Sequence, residues 1–433
     1  MTQAASLESV SREPDSDAGA ATSAAGLPAR SRAIPASRQT TSVADGLSRP
    51  LSSNERRVLA LLRPAPLARA ELARLTGLSA QAMTGIVRGL VAGGLLRALP
   101  PVRGRVGQPS VPLALDPRGA LALGCTIGRR GAECALVDLA GGLVERRSRA
   151  WRWPELDVAM GFAVEASTAL AARVPRERLH GLGVSMPGEL WQWHERLGAP
   201  RAALERWREH DVAAALASAT GLTVRLGNDA AAACGAELTY GSGAELGHFA
   251  YFSVGFFVGG GLVIDGAVHA GHHGRGAAFG SLPVPGAPLP GAGRTAQLID
   301  EASVHVLETM LERAGHGADA AALAAADATT WSEAPEIVER WERRAATALA
   351  TAIASVVAVV DLDHVVVDGA LPAHVRVRLC SRVRAALERV DTRGLVLPPV
   401  VEGTLGRAAT VLGAARLALL DTVLPTRQPS TAA

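Results

Sequence analysis

Residues 68–94 have the sequence ARAELARLT-GLS-AQAMTGIVRGLVAGG, which predicts two helices joined by a short turn that contains Gly77. Apolar side chains recur at helical spacing through both segments and would form one shared core: Leu72, Leu75, Leu78, Met83, Val87 and Leu90. A preceding helix can be capped by Ser52 or Ser53, and residues 95–116 are typical of a small β-wing followed by a linker. This order predicts a winged helix-turn-helix, whose second helix enters the DNA major groove.

The distribution of charge favours nucleic acid as the partner of this segment. Residues 55–110 contain nine arginines and two glutamates, a net charge of +7, whereas the whole chain of 433 residues carries only +3. The remainder is therefore net negative, and such a separation of charge suits binding to a phosphate backbone. The chain has no lysine, so its high arginine content by itself says little about DNA.

Two groups of residues are predicted to contact DNA. The first turns of the second helix and its exposed side would meet bases and phosphates in the major groove, through Ser79, Gln81, Thr84 and Arg88. The glycine-flanked stretch at 103–109 would enter a narrow minor groove, through Arg103, Arg105 and Gln108. The alternatives are a winged helix that only dimerises and an ordinary arginine-bearing linker.

The rest of the chain divides by composition and pattern. Residues 1–49 are rich in Ala, Ser, Thr, Pro and Arg and predict a disordered tail, and residues 50–115 form the winged helix-turn-helix. Alternating strands and helices then predict a two-lobed α/β body, with lobe 1 at 116–230 and lobe 2, including a C-terminal helix, at 231–433.

The body begins with three successive predicted strands between residues 120 and 150, with a turn at Ala140-Gly141-Gly142. Further along, the pattern predicts single helices at about 200–218 and 295–314.

Several classes of protein are excluded by the composition. No apolar run is long enough to span a membrane, and the N-terminus lacks the basic and apolar regions of a secretory signal, so we expect a cytoplasmic protein. The four cysteines are scattered without a CxxC pair, which argues against a disulfide framework and against a cysteine zinc site.

The body carries three motifs that resemble a known family. These are GVSMPG at 183–188, GNDAAAA at 227–233 and VGGGLVIDG at 258–266, which follow the helix-turn-helix and the GRVGQP wing at 104–109. Together, over roughly residues 50–420, they resemble the ROK family of repressors, open reading frames and kinases, and the repressor branch in particular. The resemblance implies a body of the actin-like ATPase and sugar kinase (ASKHA) fold.

The resemblance also implies that the nucleotide site is lost. The family's first phosphate strand holds an Asp followed by Gly and Thr, but here Thr126 takes the place of the Asp, and Arg129 and Arg130 replace the small residues. In the second phosphate loop, Phe256 and Phe257 stand where small residues would surround a phosphate. The later Gly-Gly pair is Asp368-Gly369. We therefore expect no ATP binding, no catalytic residue and no cofactor.

The sugar site is retained only in part. By the resemblance, Asn228 and Asp229 bind ligand hydroxyls, although a strand-end helix cap is the alternative, and Ala278, Ser281 and Ile299 replace the family's other polar residues. The cysteine zinc motif aligns with residues 290–297 and has lost its ligands, so no zinc is expected. The predicted ligand-binding residues are Asn228, Asp229, Gly260, His272 and His273.

The sequence thus predicts a DNA-binding regulator of the repressor type that acts on a double-stranded operator as a homodimer or homotetramer. Its effector would be a sugar or a sugar phosphate, because a group such as phosphate or carboxylate could meet Arg129, Arg130, His272 or His273. The alternatives are a ligand-independent DNA-binding or oligomerisation protein with a vestigial effector body, and a sugar kinase. No membrane partner is expected.

Overall fold

The computed structural model describes residues 49–102, 110–286, 296–316, 323, 330–420 and 422–427. The predicted winged helix is present at the N-terminal end. It comprises the helices α1 (Ser53–Leu61), α2 (Arg69–Thr76) and α3 (Ala80–Ala92) and a three-stranded sheet of β1 (Leu67–Ala68), β2 (Leu96–Ala98) and β3 (Pro112–Leu115) in the order β1-β3-β2.

Local sequence signals fix the ends of these helices. Ser52 caps α1 in a capping box, in which its hydroxyl accepts the Glu55 N–H at 3.2 Å and the Glu55 carboxylate accepts the Ser52 N–H at 2.8 Å. Gly77 ends α2 with a φ of 72°, a left-handed conformation that glycine adopts without steric cost. The tight turn between α2 and α3 follows from that glycine.

The first lobe is built on a mixed five-stranded sheet with the order β6-β5-β4-β7-β8. Its strands are β4 (Leu121–Ile127), β5 (Gly131–Asp138), β6 (Leu143–Ala150), β7 (Leu179–Met186) and β8 (Val224–Asn228). Between them lie α4 (Leu156–Ala171), α5 (His194–Leu197), α6 (Arg201–Glu205) and α7 (Val212–Thr220). Strands β4, β7 and β8 are parallel, so they end at one edge of the sheet.

The second lobe is built on a sheet with the order β11-β10-β9-β14-β15. Its strands are β9 (Phe249–Ser253), β10 (Gly259–Ile264), β11 (Ala267–Val268), β14 (His364–Asp368) and β15 (Val400–Glu402), and a small ribbon pairs β12 (Pro283–Val284) with β13 (Ala296–Gln297). The described helices are α9 (Leu298–Ala302), α10 (Val304–Arg313), α11 (Thr330–Glu333), α12 (Pro335–Val357) and α13 (Ala373–Leu387).

Two helices connect the lobes. Helix α8 (Asp229–Tyr240) leaves the first sheet and packs on β10, while α14 (Ala409–Leu419) follows the second sheet and returns to pack on β4 and β7. They cross each other closely, because Gly413 lies against the Ala232 carbonyl, where a Cβ would overlap it. We name α8 and α14 the hinge helices.

The core of the winged helix continues into the hinge helices. One cluster of buried side chains contains Leu59, Leu72 and Met83 of the winged helix together with Leu412 of α14 and Ala236 of α8. Arg178 of lobe 1 reinforces the junction by donating to the carbonyls of Gly93 and Gly119, at 3.2 and 3.1 Å. The winged helix is therefore packed directly on the elements that join the lobes.

Three regions differ from the sequence prediction. The single helix expected at 200–218 is broken, because Trp207 is buried with its indole donating to the Pro154 carbonyl at 2.8 Å and Asp211 caps a new helix. The helix expected at 295–314 is interrupted at Ser303, whose hydroxyl accepts the Val258 N–H. Helix α13 was not predicted, since its many arginines obscure a narrow apolar stripe.

Two of the cysteines lie together, contrary to the argument from spacing. Cys125 and Cys134 face each other on β4 and β5, and their sulfur atoms are bonded. The nine-residue separation hides the pairing, because only the hairpin register brings the two residues opposite each other. Within the described ranges, no helix is both long and apolar enough to cross a membrane.

A buried histidine in β7 predicts a pH dependence of stability. Burial, with a smaller contribution from Arg178, lowers the pKa of His180 to about 4. In the unfolded chain His180 binds a proton near pH 6.5. The free energy of unfolding is therefore highest above that pH, and it falls by at most about 3 kcal/mol as the pH drops towards 4. Chemical unfolding between pH 7 and 4 measures the slope. His180→Gln should flatten it, whereas replacement of the exposed His273 should leave it unchanged.

Candidate functional site

The predicted recognition helix, α3, has an exposed face that carries polar residues and few long side chains. Ser79 caps α3 by accepting the Ala82 N–H at 3.2 Å, and the Thr84 hydroxyl donates to the Ala80 carbonyl at 2.8 Å, so both hydroxyls have local partners. Gln81 and Arg88 are exposed. The other exposed positions on the same side of the helix carry no long side chain: Ala82, Gly85 and Gly89. Gln81 and Arg88 are thus the longest side chains on this exposed face of α3. A helix face with few long side chains is able to approach a DNA groove closely.

The wing residues of the prediction lie outside the described residues. These are Arg103, Arg105 and Gln108. Their flanking positions are described: Val102 and Ser110 form an antiparallel bridge with N–O distances of 2.8 and 3.1 Å.

The second candidate site is the cleft between the lobes, where β8 ends and α8 begins. The Asn228 side-chain oxygen caps α8 by accepting the N–H groups of Ala230 and Ala231, both at 3.1 Å. The cap was the alternative to ligand binding at this position. Asp229 directs Oδ1 to the Ala230 N–H at 2.9 Å, and its other carboxylate oxygen faces the cleft.

An arginine from the β4–β5 turn occupies the cleft beside this carboxylate. The Arg129 guanidinium lies 3.4 Å from Asp229 Oδ2 and stacks on the Phe257 ring, 4.6 Å from its centroid. Only 14% of the Arg129 side chain is exposed, and its burial lowers the pKa of the guanidinium. Nε of Arg129 has no hydrogen-bond partner among the described residues. Asp229 is therefore paired and not an open anchor.

Arg130 makes the parallel contact with the next phenylalanine. Its guanidinium lies 4.5 Å from the Phe256 centroid and 3.7 Å from the Glu308 carboxylate, and Nη1 donates to the carbonyls of Arg152 and Leu197. Its Nε, like that of Arg129, is buried without a partner in the described part of the chain.

These contacts fill the region that the family resemblance assigns to phosphate. The rings of Phe256 and Phe257 are 4.9 Å apart, and each also lies within 6 Å of the His305 ring. Trp193 of lobe 1 packs on Phe257 at 5.2 Å. Backbone N–H groups of a glycine-rich loop could not reach a phosphate through this layer of side chains.

Two ion pairs hold the lobes together at the rim of the cleft. Arg196 of lobe 1 lies 2.8 Å from Asp300 of lobe 2, and Arg275 of lobe 2 lies 2.6 Å from Glu189 of lobe 1. We name the contacts made by Arg129, Arg130, Arg196 and Arg275 the arginine latch.

The remaining predicted ligand residues do not meet at Asp229. Gly260 faces Phe279, and it is its neighbour Gly259 that lies against Ala230. His272 and His273 are exposed and contact each other edge to face at 4.6 Å. No group of three or more metal-ligating side chains occurs in the ranges described, and most of the segment aligned with the zinc motif lies outside them.

Comparison with known proteins identifies the body. The model of the ROK family matches residues 122–420. The chain belongs to the ROK family. The winged helix domain of DprA matches residues 43–87, in agreement with the observed helix order.

The named relatives of this ROK protein include regulators. An uncharacterised protein of Sinorhizobium fredii is 28% identical over 84% of this chain and 90% of its own. A transcriptional regulator of Mycobacterium bovis is 28% identical over 55% of each chain, and the xylose repressor of Bacillus subtilis is 20% identical over 52% of this chain and 58% of its own. The chain thus spans little more than half the length of these two regulators.

Solved structures support the fold. A ROK family transcriptional regulator, a homologue of the Escherichia coli MLC protein, superimposes with a TM-score of 0.59 at 22% identity, over 86% of this chain and 96% of its own. A ROK glucokinase from Streptomyces griseus, solved with glucose and AMPPNP, gives 0.54 at 22% identity, over 69% of this chain and 99% of its own. The fold alone is therefore shared with regulators and kinases, and the site chemistry must distinguish them.

Proposed function

We propose that this ROK protein is a transcriptional repressor that binds a two-fold symmetric operator as a dimer and responds to a ligand in the inter-lobe cleft. The observation that carries the proposal is the continuous core between the winged helix and the hinge helices, which include Leu412 of α14 and Ala236 of α8. A DNA-binding module built into the joint of a two-lobed body can move when the lobes move.

Helix α8 provides a direct connection between the two candidate sites. It begins at Asp229 in the cleft and ends at Tyr240, whose ring lies 5.5 Å from the guanidinium carbon of Arg63, just beyond α1. The Arg63 Nε and Nη2 and the Tyr240 hydroxyl are buried without partners in the described chain. A shift of α8 would therefore disturb a contact that few hydrogen bonds hold in place.

The domain limits remain part of the proposal. We assign 1–49 to the tail, 50–115 to DNA binding, 116–230 to lobe 1 and 231–433 to lobe 2. Helix α14, although late in the sequence, packs on the sheet of lobe 1.

Exchange of single residues on α3 tests the proposal. Gln81→Ala should relax the preference for particular base pairs by about 1–3 kcal/mol, because a bidentate contact to a base edge is lost. Arg88→Ala should weaken binding to all sequences alike and reduce its salt dependence. Selection from a random duplex library followed by fluorescence anisotropy measures both effects.

Arg206→Ala is the matched control, since this exposed arginine lies on lobe 1 and pairs with Asp157. An unchanged binding motif and affinity in Gln81→Ala would place the recognition surface elsewhere.

A sugar kinase is the competing function. The layer formed by Phe256, Phe257, Arg129 and Arg130 weighs against it, because these side chains take the place of both phosphate loops. A coupled assay for ADP release with a panel of hexoses tests it directly. Turnover that survives Asp229→Asn would belong to a contaminant, and turnover abolished by it would favour the kinase.

A further inference from the structure

Two adjacent arginines of the β4–β5 turn, Arg129 and Arg130, retain unused hydrogen-bond donors within the described structure. Arg129 and Arg130 stack on adjacent phenylalanine rings, which fixes both guanidinium planes. In each, Nε is buried and unpaired within the described structure. The Nε–H is one arm of the fork with which arginine grips a carboxylate or a phosphate through two parallel hydrogen bonds.

Their existing carboxylate contacts are loose. Arg129 is 3.4 Å from Asp229, and Arg130 is 3.7 Å from Glu308, which is also 3.2 Å from Nδ1 of His305. Charge-assisted hydrogen bonds are normally nearer 2.7–2.9 Å. Both guanidiniums can therefore gain by exchanging these partners for a closer anion.

Charge balance in the cleft limits which ligand can open the Arg129–Asp229 pair. A neutral sugar that bound to Asp229 in place of Arg129 would leave the desolvated Arg129 guanidinium, stacked on Phe257, without a counter-charge. That state is strongly unfavourable. A ligand with an anionic group replaces Asp229 as the partner of Arg129. One of its hydroxyls can then donate to the released Asp229 carboxylate.

We infer that the effector is a small hydroxylated organic anion, with a carboxylate or a phosphate monoester gripped by Arg129 and Arg130 and a hydroxyl donated to Asp229. The inference rests on the proposed function, whose effector it specifies. It removes His272 and His273 from the expected set, because they are exposed and pair with each other. Binding must also separate the arginine latch, since both arginines are more than four-fifths buried.

Titration calorimetry on the full chain tests the inference with five probes. Glucose is the neutral reference, glucose 6-phosphate and glucose 1-phosphate carry the phosphate monoester, and gluconate and glucuronate carry the carboxylate. We expect at least one anion to bind 10-fold or more tightly than glucose. The two pairs of probes show whether the anion is a phosphate or a carboxylate.

Variants then test the assigned residues. Arg129→Lys keeps the charge but lacks the fork, and Arg130→Gln removes the second guanidinium. Each should weaken anion binding by about 10- to 100-fold, the effect of one charge-assisted hydrogen bond. Arg173→Gln is the control, because this exposed arginine of lobe 1 also pairs loosely with a glutamate, at 3.5 Å, and should change nothing. Melting curves verify that each variant is folded.

Four outcomes would overturn the inference. One is tighter binding of glucose than of all four anions. Another is the absence of anion binding at millimolar concentration. The third is anion affinity that Arg129→Lys and Arg130→Gln both leave unchanged. The fourth is found by titrating inorganic phosphate as an additional probe: if it reproduces the anion affinity in full, the site holds an adventitious ion only.

Operator binding measured in parallel separates this inference from the proposed function. An anion that binds through Arg129 without altering operator affinity would confirm the class of ligand but would show that this ligand is not an effector. Failure of the protein to bind any duplex would refute the repressor and leave the calorimetric result intact.

Discussion

Gly85→Glu is expected to abolish operator binding, with a loss of affinity of at least about 100-fold. Gly85 is exposed in the middle of α3, and no atom lies within 4 Å of the position that its Cβ would take. The helix therefore accepts the longer side chain without strain and gains helical propensity. If this face approaches DNA as proposed, a glutamate here brings a negative charge against phosphates and base acceptors, which costs several kcal/mol.

The same substitution elsewhere provides the control. Gly161 is exposed in the middle of α4 on lobe 1, again with no atom within 4 Å of its prospective Cβ. Gly161→Glu adds the same charge and should leave operator affinity nearly unchanged, while Gly85→Ala should retain most of the binding. Anisotropy titrations at fixed salt compare the three variants. Equal losses in Gly85→Glu and Gly161→Glu would mean that net charge, and not the α3 face, controls binding.

The winged helix could be predicted from sequence because its signals are local. A capping serine, a glycine turn and an apolar repeat all lie within one or two helical turns of the residues they organise. The first three strands of lobe 1 could also be predicted, since β4, β5 and β6 follow one another in the sequence and pair as consecutive hairpins.

The chemistry of the cleft could be predicted from the sequence only in part. The family resemblance implied that Arg129 and Phe257 replace small residues of the phosphate loops, but it could not show that they stack on each other. Arg129 and Asp229 are one hundred residues apart, and their contact depends on the strand order of the first sheet. The stacking of Arg129 on Phe257 depends in addition on how the two separately folded lobes approach. The unpaired Nε atoms follow from that approach, and no sequence pattern encodes them.

The assignment of Asn228 illustrates a general ambiguity. An Asn-Asp pair at the end of a strand suits both ligand binding and helix capping, because the same side-chain oxygen serves either purpose. The geometry favours the cap for Asn228, with two N–H groups at 3.1 Å, and pairs Asp229 with Arg129.

The hinge helices are the route by which we expect the two proposed sites to influence each other. They pack so closely that glycine is required where they meet the sheets and one another, and that packing leaves little slack. Movement of α8 at the cleft is therefore expected to move α14 and the winged helix with it. Small rearrangements of neighbouring side chains would not be enough to accommodate such a movement.

Gly183→Ala is expected to lower the free energy of unfolding by about 3 kcal/mol, the upper part of the range for overpacking. Gly183 lies in the middle of β7, where a Cβ would overlap the main-chain carbonyl of Ala414 in α14. The main chain of α14 cannot rotate away from the new methyl group as a flexible side chain could. Helix α14 must therefore be displaced from the sheet. The displaced helix also carries Leu412 of the winged-helix core, and operator binding should weaken together with stability.

Gly161→Ala separates this steric effect from the general effect of replacing glycine. That glycine has open space around it in a helix, and alanine there should raise stability by about 0.5–1 kcal/mol. Urea unfolding followed by circular dichroism gives the shift in midpoint for both variants. Opposite shifts are expected, because β7 has no room for a methyl group whereas α4 has. A Gly183→Ala protein as stable as the unsubstituted chain would show that α14 can move off the sheet at little cost, and the rigid coupling of the winged helix to the cleft would then be wrong.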